Sequence, residues 1–260
     1  MDPMEFRAAF KKRIMDLFQG KPWVLGIWEG GSAATGRLDD LSDLDLGLVV
    51  EDERVEETFR LFEELLARHY PVKTSFRVPE PSWHGHSQCY YFCENYPPLF
   101  YVDLLVEKRS AEDRLMEPDR HGESVIWLNR GNILNPVPTP EDEMLTRTLG
   151  FFRAMVKTLP ISLAETEKQI LRGNPIDAML EYQGLVQRRL AGLLNLKYRP
   201  SKYDFGIRYG GTEYPPEVAG RVSELMYAGN IQELPGKLRE ISEWISRLVE
   251  ELEERYGPTV

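Results

Sequence analysis

Apolar positions along this chain change their spacing about half-way. Between Met1 and Phe18, the residues Phe6, Phe10, Ile14, Leu17 and Phe18 recur at helical intervals. Short apolar runs follow at Trp23–Trp28 and Leu44–Val50, too short for helices and bounded by glycine and acidic residues, so they read as strands. Glu53–His69 returns to helical spacing, with Val55, Phe59, Phe62, Leu65 and Leu66 on one face. Val72–Val78 is a further strand. Gln88–Cys93 turns at Glu94-Asn-Tyr-Pro-Pro and returns as Leu99–Val106, the pattern of an antiparallel hairpin. The charged segment Glu107–Glu123 contains Pro118 and reads as exposed or mobile, and Ser124–Leu128 as a short strand.

Asn135-Pro-Val-Pro-Thr-Pro marks a proline-stiffened boundary. Beyond it Thr139-Pro-Glu-Asp has the makings of a helix start, with a capping residue, a proline and first-turn acids. Helical spacing then fills Glu141–Leu159, Ile161–Arg172, Asn174–Leu196, a shorter Pro215–Tyr227, and Ile231–Tyr256. The last of these aligns Leu234, Leu238, Ile241, Ile245, Leu248 and Leu252, a stripe that reads as core rather than as an oligomer seam, although a homodimer stays open. The expected fold class is α+β. A mixed sheet with packed helices occupies residues 1–136, and a helical bundle residues 137–260.

Composition narrows the class of partner. At 42% hydrophobic and 28% charged residues, the chain has the make-up of a soluble globular protein. Its formal charge of −10 speaks against general nucleic-acid binding and for a small or basic substrate. No run is long enough to span a bilayer and the start carries no signal-peptide pattern, so the expected location is the cytoplasm, without membrane contact. The only cysteines, Cys89 and Cys93, sit in the aromatic run Gln-Cys-Tyr-Tyr-Phe-Cys and read as small buried hydrophobes. With His84 and His86 they have zinc-ligand side chains, but the spacing fits no finger or ribbon, and His84-Gly-His86 reads as the turn entering a strand.

The chemistry concentrates between Gly30 and Asp45, which read Gly-Gly-Ser-Ala-Ala-Thr-Gly-Arg-Leu-Asp-Asp-Leu-Ser-Asp-Leu-Asp. The Gly-Gly-Ser turn offers backbone N–H groups to a phosphate with little to obstruct it. Asp43 and Asp45 alternate on an expected strand and so share a face. Paired carboxylates repel unless a cation lies between them, and hard oxygen ligands suit Mg²⁺. A third acid, Asp103, interrupts the apolar run Leu99–Val106. Alone it would be a hydrogen-bonded strand-end aspartate; after the acid pair it reads as a metal ligand.

This order of features resembles the polymerase-β-like nucleotidyltransferase superfamily, at Gly31, Ser32, Asp43, Asp45 and Asp103. The first half carries the resemblance, and the helical second half makes the chain similar to the small-molecule (aminoglycoside- or lincosamide-type) members. One departure stands out: where small members often have Gly-Ser-x-Ala-Arg-Gly, this chain has Thr35, with Arg37 beyond Gly36. The resemblance implies metal-dependent transfer of a nucleoside monophosphate, most simply AMP from ATP, onto a hydroxyl of a small molecule. Gly31 and Ser32 would hold the phosphates, and Asp43, Asp45 and Asp103 would bind two Mg²⁺ ions. Arg37 is either a phosphate contact or a surface residue. Lys202, in Tyr198-Arg-Pro-Ser-Lys-Tyr-Asp-Phe-Gly, either neutralises the triphosphate or is a solvated loop lysine. Glu181 or Asp177 would serve as general base, with Glu181 the stronger choice, unless both are ordinary exposed helix acids. Two other readings remain: a nucleotide-binding regulator with a weakened site, and a nucleotidyltransferase that modifies a partner toxin.

Overall fold

The computed structural model describes residues 2–258, so Met1, Thr259 and Val260, which the expected first and last segments include, lie outside it. The chain divides into two units, Met1–Pro138 and Thr139–Val260.

The N-terminal unit is a mixed six-stranded sheet in the order β3-β4-β5-β2-β1-β6. Its strands are β1 (Val24–Glu29), β2 (Leu44–Val50), β3 (Val72–Arg77), β4 (Ser87–Cys93), β5 (Val102–Lys108) and β6 (Val125–Asn129). Only β2 and β5 pair in parallel; every other neighbouring pair is antiparallel, including the β4–β5 hairpin expected from sequence. Alternation divides the side chains cleanly. Leu44, Leu46, Leu48 and Val50 of β2, Val102, Leu104 and Val106 of β5, and Cys89, Tyr91 and Cys93 of β4 point to one face. There they join Phe6, Phe10 and Ile14 of helix α1 (Pro3–Phe18) and Phe59, Phe62 and Leu66 of helix α3 (Val55–His69) in one core. Asp2 caps α1 by accepting from the backbone N–H groups of Met4 and Glu5 at 2.9 and 3.0 Å. Helix α2 (Gly31–Ala34) is a single turn between β1 and β2.

The opposite face of the sheet is covered only in part. Trp28, Val49, Leu105, Met116 and Leu134 form a smaller cluster there. The Trp28 ring lies on Gly47, where a Cβ would come within 2.2 Å of the indole, so only glycine admits it. The segment Glu107–Glu123 is only in part the exposed stretch its charges suggest: Lys108, Arg109, Ser110, Glu112, Asp113 and Glu123 are exposed, and the others are not. Glu107 closes β5 fully buried, Met116 joins the small cluster, and Arg120, in the short helix α4 (Pro118–His121), is 8% exposed. Arg114 folds back onto Glu107 at 3.4 Å and the Trp28 indole N–H donates to the same carboxyl at 2.8 Å.

The C-terminal unit is helical: α5 (Glu141–Arg172), α6 (Pro175–Gly184), α7 (Ala191–Tyr198), α8 (Gly210–Glu213), α9 (Pro216–Met226) and α10 (Leu234–Tyr256). The two helices expected on either side of Pro160 are one continuous helix. Pro160 lies on the exposed side of α5, where the carbonyl it deprives of a partner can meet water, while Phe152, Met155, Leu159 and Thr166 continue the buried stripe past it. Pro140, not Thr139, occupies the N-cap. The single helix expected over 174–196 contains a π-helical turn, Leu185–Leu190, that turns Leu185, Val186 and Leu190 inward. From α10, Ile241, Ile245, Leu248 and Leu252 enter the core as expected, joined by Trp244 and Tyr256. Among the described residues no helix is long and apolar enough to cross a membrane.

Burial raises the Glu107 carboxyl to about 7, against weaker opposing effects from Trp28 and Arg114. Between the ordinary glutamate pKa and about 7 the folded chain therefore binds the extra proton, and stability falls as pH rises through that window. Glu107→Gln should flatten this part of the stability–pH curve, measured by urea unfolding at stepped pH. An unchanged slope would contradict the assignment.

Candidate active site

The sheet assembles an acid site on its partly open face. In the parallel β2–β5 pair Asp45 stands directly beside Asp103, and on the antiparallel side Tyr90 of β4 stands beside Asp103. Asp43 lies one residue before β2 begins, so it is not the in-strand partner of Asp45 that alternation predicted. It reaches the same neighbourhood through Tyr101. The phenol of Tyr101 is raised by burial first, then by a hydrogen bond to Asp43 and by the charges of Asp43, Asp45 and Asp103.

Asp103 titrates above the usual aspartate range because burial disfavours its charge and Asp43 repels it. Gln88 opposes that rise, its side-chain amide donating to both oxygens of Asp103 at 2.7 and 3.0 Å. Gln88 is itself oriented by the Tyr90 hydroxyl, which accepts from it at 2.9 Å, and by His84, whose Nε2 lies 3.1 Å from its amide oxygen.

Gly31 closes the other side. Its φ of +54° lies in the left-handed region, and a Cβ there would fall 1.6 Å from Oδ2 of Asp45. The backbone N–H of Gly30 donates to the Asp45 carbonyl at 2.9 Å, which ties the turn to the strand. Ser32 Oγ is buried and has no hydrogen-bond partner, an unsatisfied hydroxyl directly after the glycine pair. Thr35, in the place of the usual arginine, donates its hydroxyl to the carbonyl of Gly31 at 3.0 Å and so closes the turn on itself. Arg37 follows half-buried, its backbone N–H bonded to the Ser32 carbonyl at 2.9 Å.

One arginine holds the approach to β2 in place. Arg7 of α1, 8% exposed, pairs with the buried Glu29 at the end of β1 and donates to the backbone carbonyl of Asp43 at 2.5 Å. Neither Arg7 nor Glu29 was singled out in sequence. The available signals were a charge on the apolar stripe that includes Phe6, Phe10 and Ile14, and another closing the buried run Val24–Trp28. Gln88 and Tyr101 carried no sequence signal beyond their place in strand-like runs.

The three remaining expected residues belong to the C-terminal unit. Glu181 is half-buried in α6, and Asp177 is exposed in its first turn. Lys202 is not a solvated loop lysine. Its side chain is 17% exposed and bonds Glu213 at 2.6 Å, in a cluster where Arg199 holds the same carboxylate at 2.6 Å and Asn195 at 2.7 Å. His84 and His86 stack at 5.4 Å, and the Cys89 and Cys93 thiols, raised by burial, point into the helix-covered core. Among the described residues no group of three or more His, Cys, Asp and Glu side chains is gathered as a ready-made metal site.

No protein-family model matches the chain, and no curated protein matches it. Solved structures do align with it over nearly its whole length. A nucleotidyltransferase-like protein from Exiguobacterium sibiricum 255-15 is 14% identical, covering 95% of this chain and 75% of that one, at a TM-score of 0.39. An aminoglycoside 6-adenyltransferase from Bacillus subtilis is 11% identical over 94% and 89% of the two chains, at 0.33. A STING-associated CdnE c-di-GMP synthase from Capnocytophaga granulosa is 12% identical over 98% and 81%, also at 0.33. The chain is thus similar to solved nucleotidyltransferases. At these TM-scores the likeness carries no weight as to chemistry, which has to be read from the acids and the turn beside them.

Removing Arg7 alone strands the Glu29 charge in the core, and Arg7→Met should lower stability by about 3–5 kcal/mol in urea unfolding. Arg7→Met with Glu29→Leu should regain most of that loss. A double variant no more stable than Arg7→Met alone would contradict the pairing of Arg7 with Glu29 as the source of the loss.

Proposed function

We propose that the N-terminal unit carries out metal-assisted transfer of a nucleoside monophosphate, with ATP the simplest donor, onto a hydroxyl of a small molecule. The observation that carries the reading is the in-register pair Asp45–Asp103, with the Gly31 turn seated against the Asp45 carboxylate. The donor set suits a hard cation. It consists of carboxylate oxygens, and the charge on Asp103 is disfavoured by burial and by Asp43, so a cation would relieve both. Asp43, Asp45 and Asp103 would hold Mg²⁺, which supplies charge neutralisation at the phosphates and activation of the entering hydroxyl.

The chain's own residues do the positioning. The Gly30–Gly31–Ser32 turn would hold the phosphates, with the partnerless Ser32 hydroxyl available to donate to one of their oxygens. Gln88 sets the direction of Asp103, and Arg7, through the Asp43 carbonyl, fixes where the acid loop enters the strand. In the reaction the acceptor oxygen forms its bond to the α-phosphorus as the bond to the α,β-bridging oxygen breaks. Pyrophosphate departs in line with the entering oxygen, and the hydroxyl proton passes to water. Arg37 is kept as a proposed phosphate contact. The formal charge of −10 favours an acceptor that is small and neutral or cationic.

The test is pyrophosphate release from ATP with Mg²⁺ and a panel of hydroxylated small molecules, alongside Asp45→Asn. An acceptor-dependent release that the variant lowers ~10²–10³-fold is the expected result. Release indifferent to Asp45 would contradict the proposal.

A further inference from the structure

On the open face of the sheet the functional groups stand in a fixed order from strand to strand. The Gly31–Ser32 turn follows β1, Asp45 is on β2, and Asp103 is on β5. Beyond Asp103, on the side away from the turn, the next strands present Tyr90 and Phe92 from β4 and Phe76 from β3, opposite Tyr90 in register. Tyr101 belongs to the same group. Its ring stacks on Phe92 with centroids 5.1 Å apart and planes at 27°, and lies 6.3 Å from Tyr90. Phe92 is 40% exposed and Phe76 58%. Aromatic surface of this kind, left open on a sheet whose other face is filled, is a place for a flat ring to stack.

We infer that this shelf binds the acceptor, and that the acceptor is a hydroxyl compound built on a flat ring, its ring on Phe92 and Phe76 and its hydroxyl toward Asp103. The inference rests on the nucleotidyl-transfer reading and takes its direction from it. In-line displacement puts entering and leaving groups on opposite sides of the phosphorus. With the phosphates at the Gly31–Ser32 turn, the entering oxygen comes from the Asp103 side, where the shelf begins. Continuity is spatial: Tyr101 stands two residues before Asp103 in the chain, and its ring stacks on Phe92 and so extends the shelf.

The test uses the full chain with Mg²⁺ and α,β-methylene-ATP, and 2-(4-fluorophenyl)ethanol as the ring probe, followed by ¹⁹F NMR. Nucleotide affinity is measured on the same samples, and 1,4-butanediol serves as the ringless competitor. The expected result is probe binding that 1,4-butanediol does not displace. Phe92→Ala and Phe76→Ala should each weaken it about five- to tenfold while nucleotide affinity stays within about twofold. Absent probe binding, or binding equal in both variants, overturns the shelf. A parallel loss of nucleotide affinity in the variants would give the shelf to the donor's base instead. A dimer seen in sedimentation that Phe92→Ala dissociates would give it to a second copy. Failure of the unaltered chain to bind the nucleotide at all would overturn the underlying reading, and it is seen independently of the probe.

Discussion

Two carboxylates held side by side on a parallel strand pair form the constraint around which the N-terminal unit is arranged. Register places Asp45 beside Asp103, and no rotation of the strands relieves the repulsion without moving the core beneath them. The surroundings soften it in separate ways. Gln88 gives both oxygens of Asp103 a donor, and Gly31 leaves room for the Asp45 carboxylate by having no side chain. Arg7, already paired with Glu29, holds the backbone rather than the charge of Asp43.

That site depends on the division of labour between the two faces of the sheet. Helices α1 and α3 fill one face with leucine, valine and phenylalanine, so the strands are anchored without any contribution from the other. On the second face a plug of Trp28, Val49, Leu105, Met116 and Leu134 covers one end, with the buried Glu107 beneath it. The acids and the aromatic row occupy the uncovered remainder. Burial that raises Asp103 and the partial exposure of Phe92 are consequences of the same boundary.

Much of this was legible in the sequence, for a physical reason: period-two alternation and glycine–acid punctuation are local signals. The six strands, the hairpin that brings Asp103 to the acid loop, and the helical second half all follow from them. What escaped were features decided by tertiary partners. Asp43 stands one residue before its strand, and its carbonyl accepts from Arg7 of a distant helix. Charges on Glu107–Glu123 suggested solvent, but Arg114 and Trp28 give Glu107 partners that allow its burial. Pro160 looked like a break, yet its position on the solvent side of a long buried stripe let the helix run through. Lys202 looked free because Glu213, its partner, lies beyond a glycine-rich turn that sequence alone does not fold.

The central claim is that the acid pair is completed by a divalent cation that brings a triphosphate with it. Calorimetric titration of ATP into the full chain, with and without Mg²⁺ and repeated on Asp103→Asn, tests it most directly. The account predicts binding that requires Mg²⁺ and is lost in the variant. Binding of equal strength without the cation, or undiminished in Asp103→Asn, would contradict it.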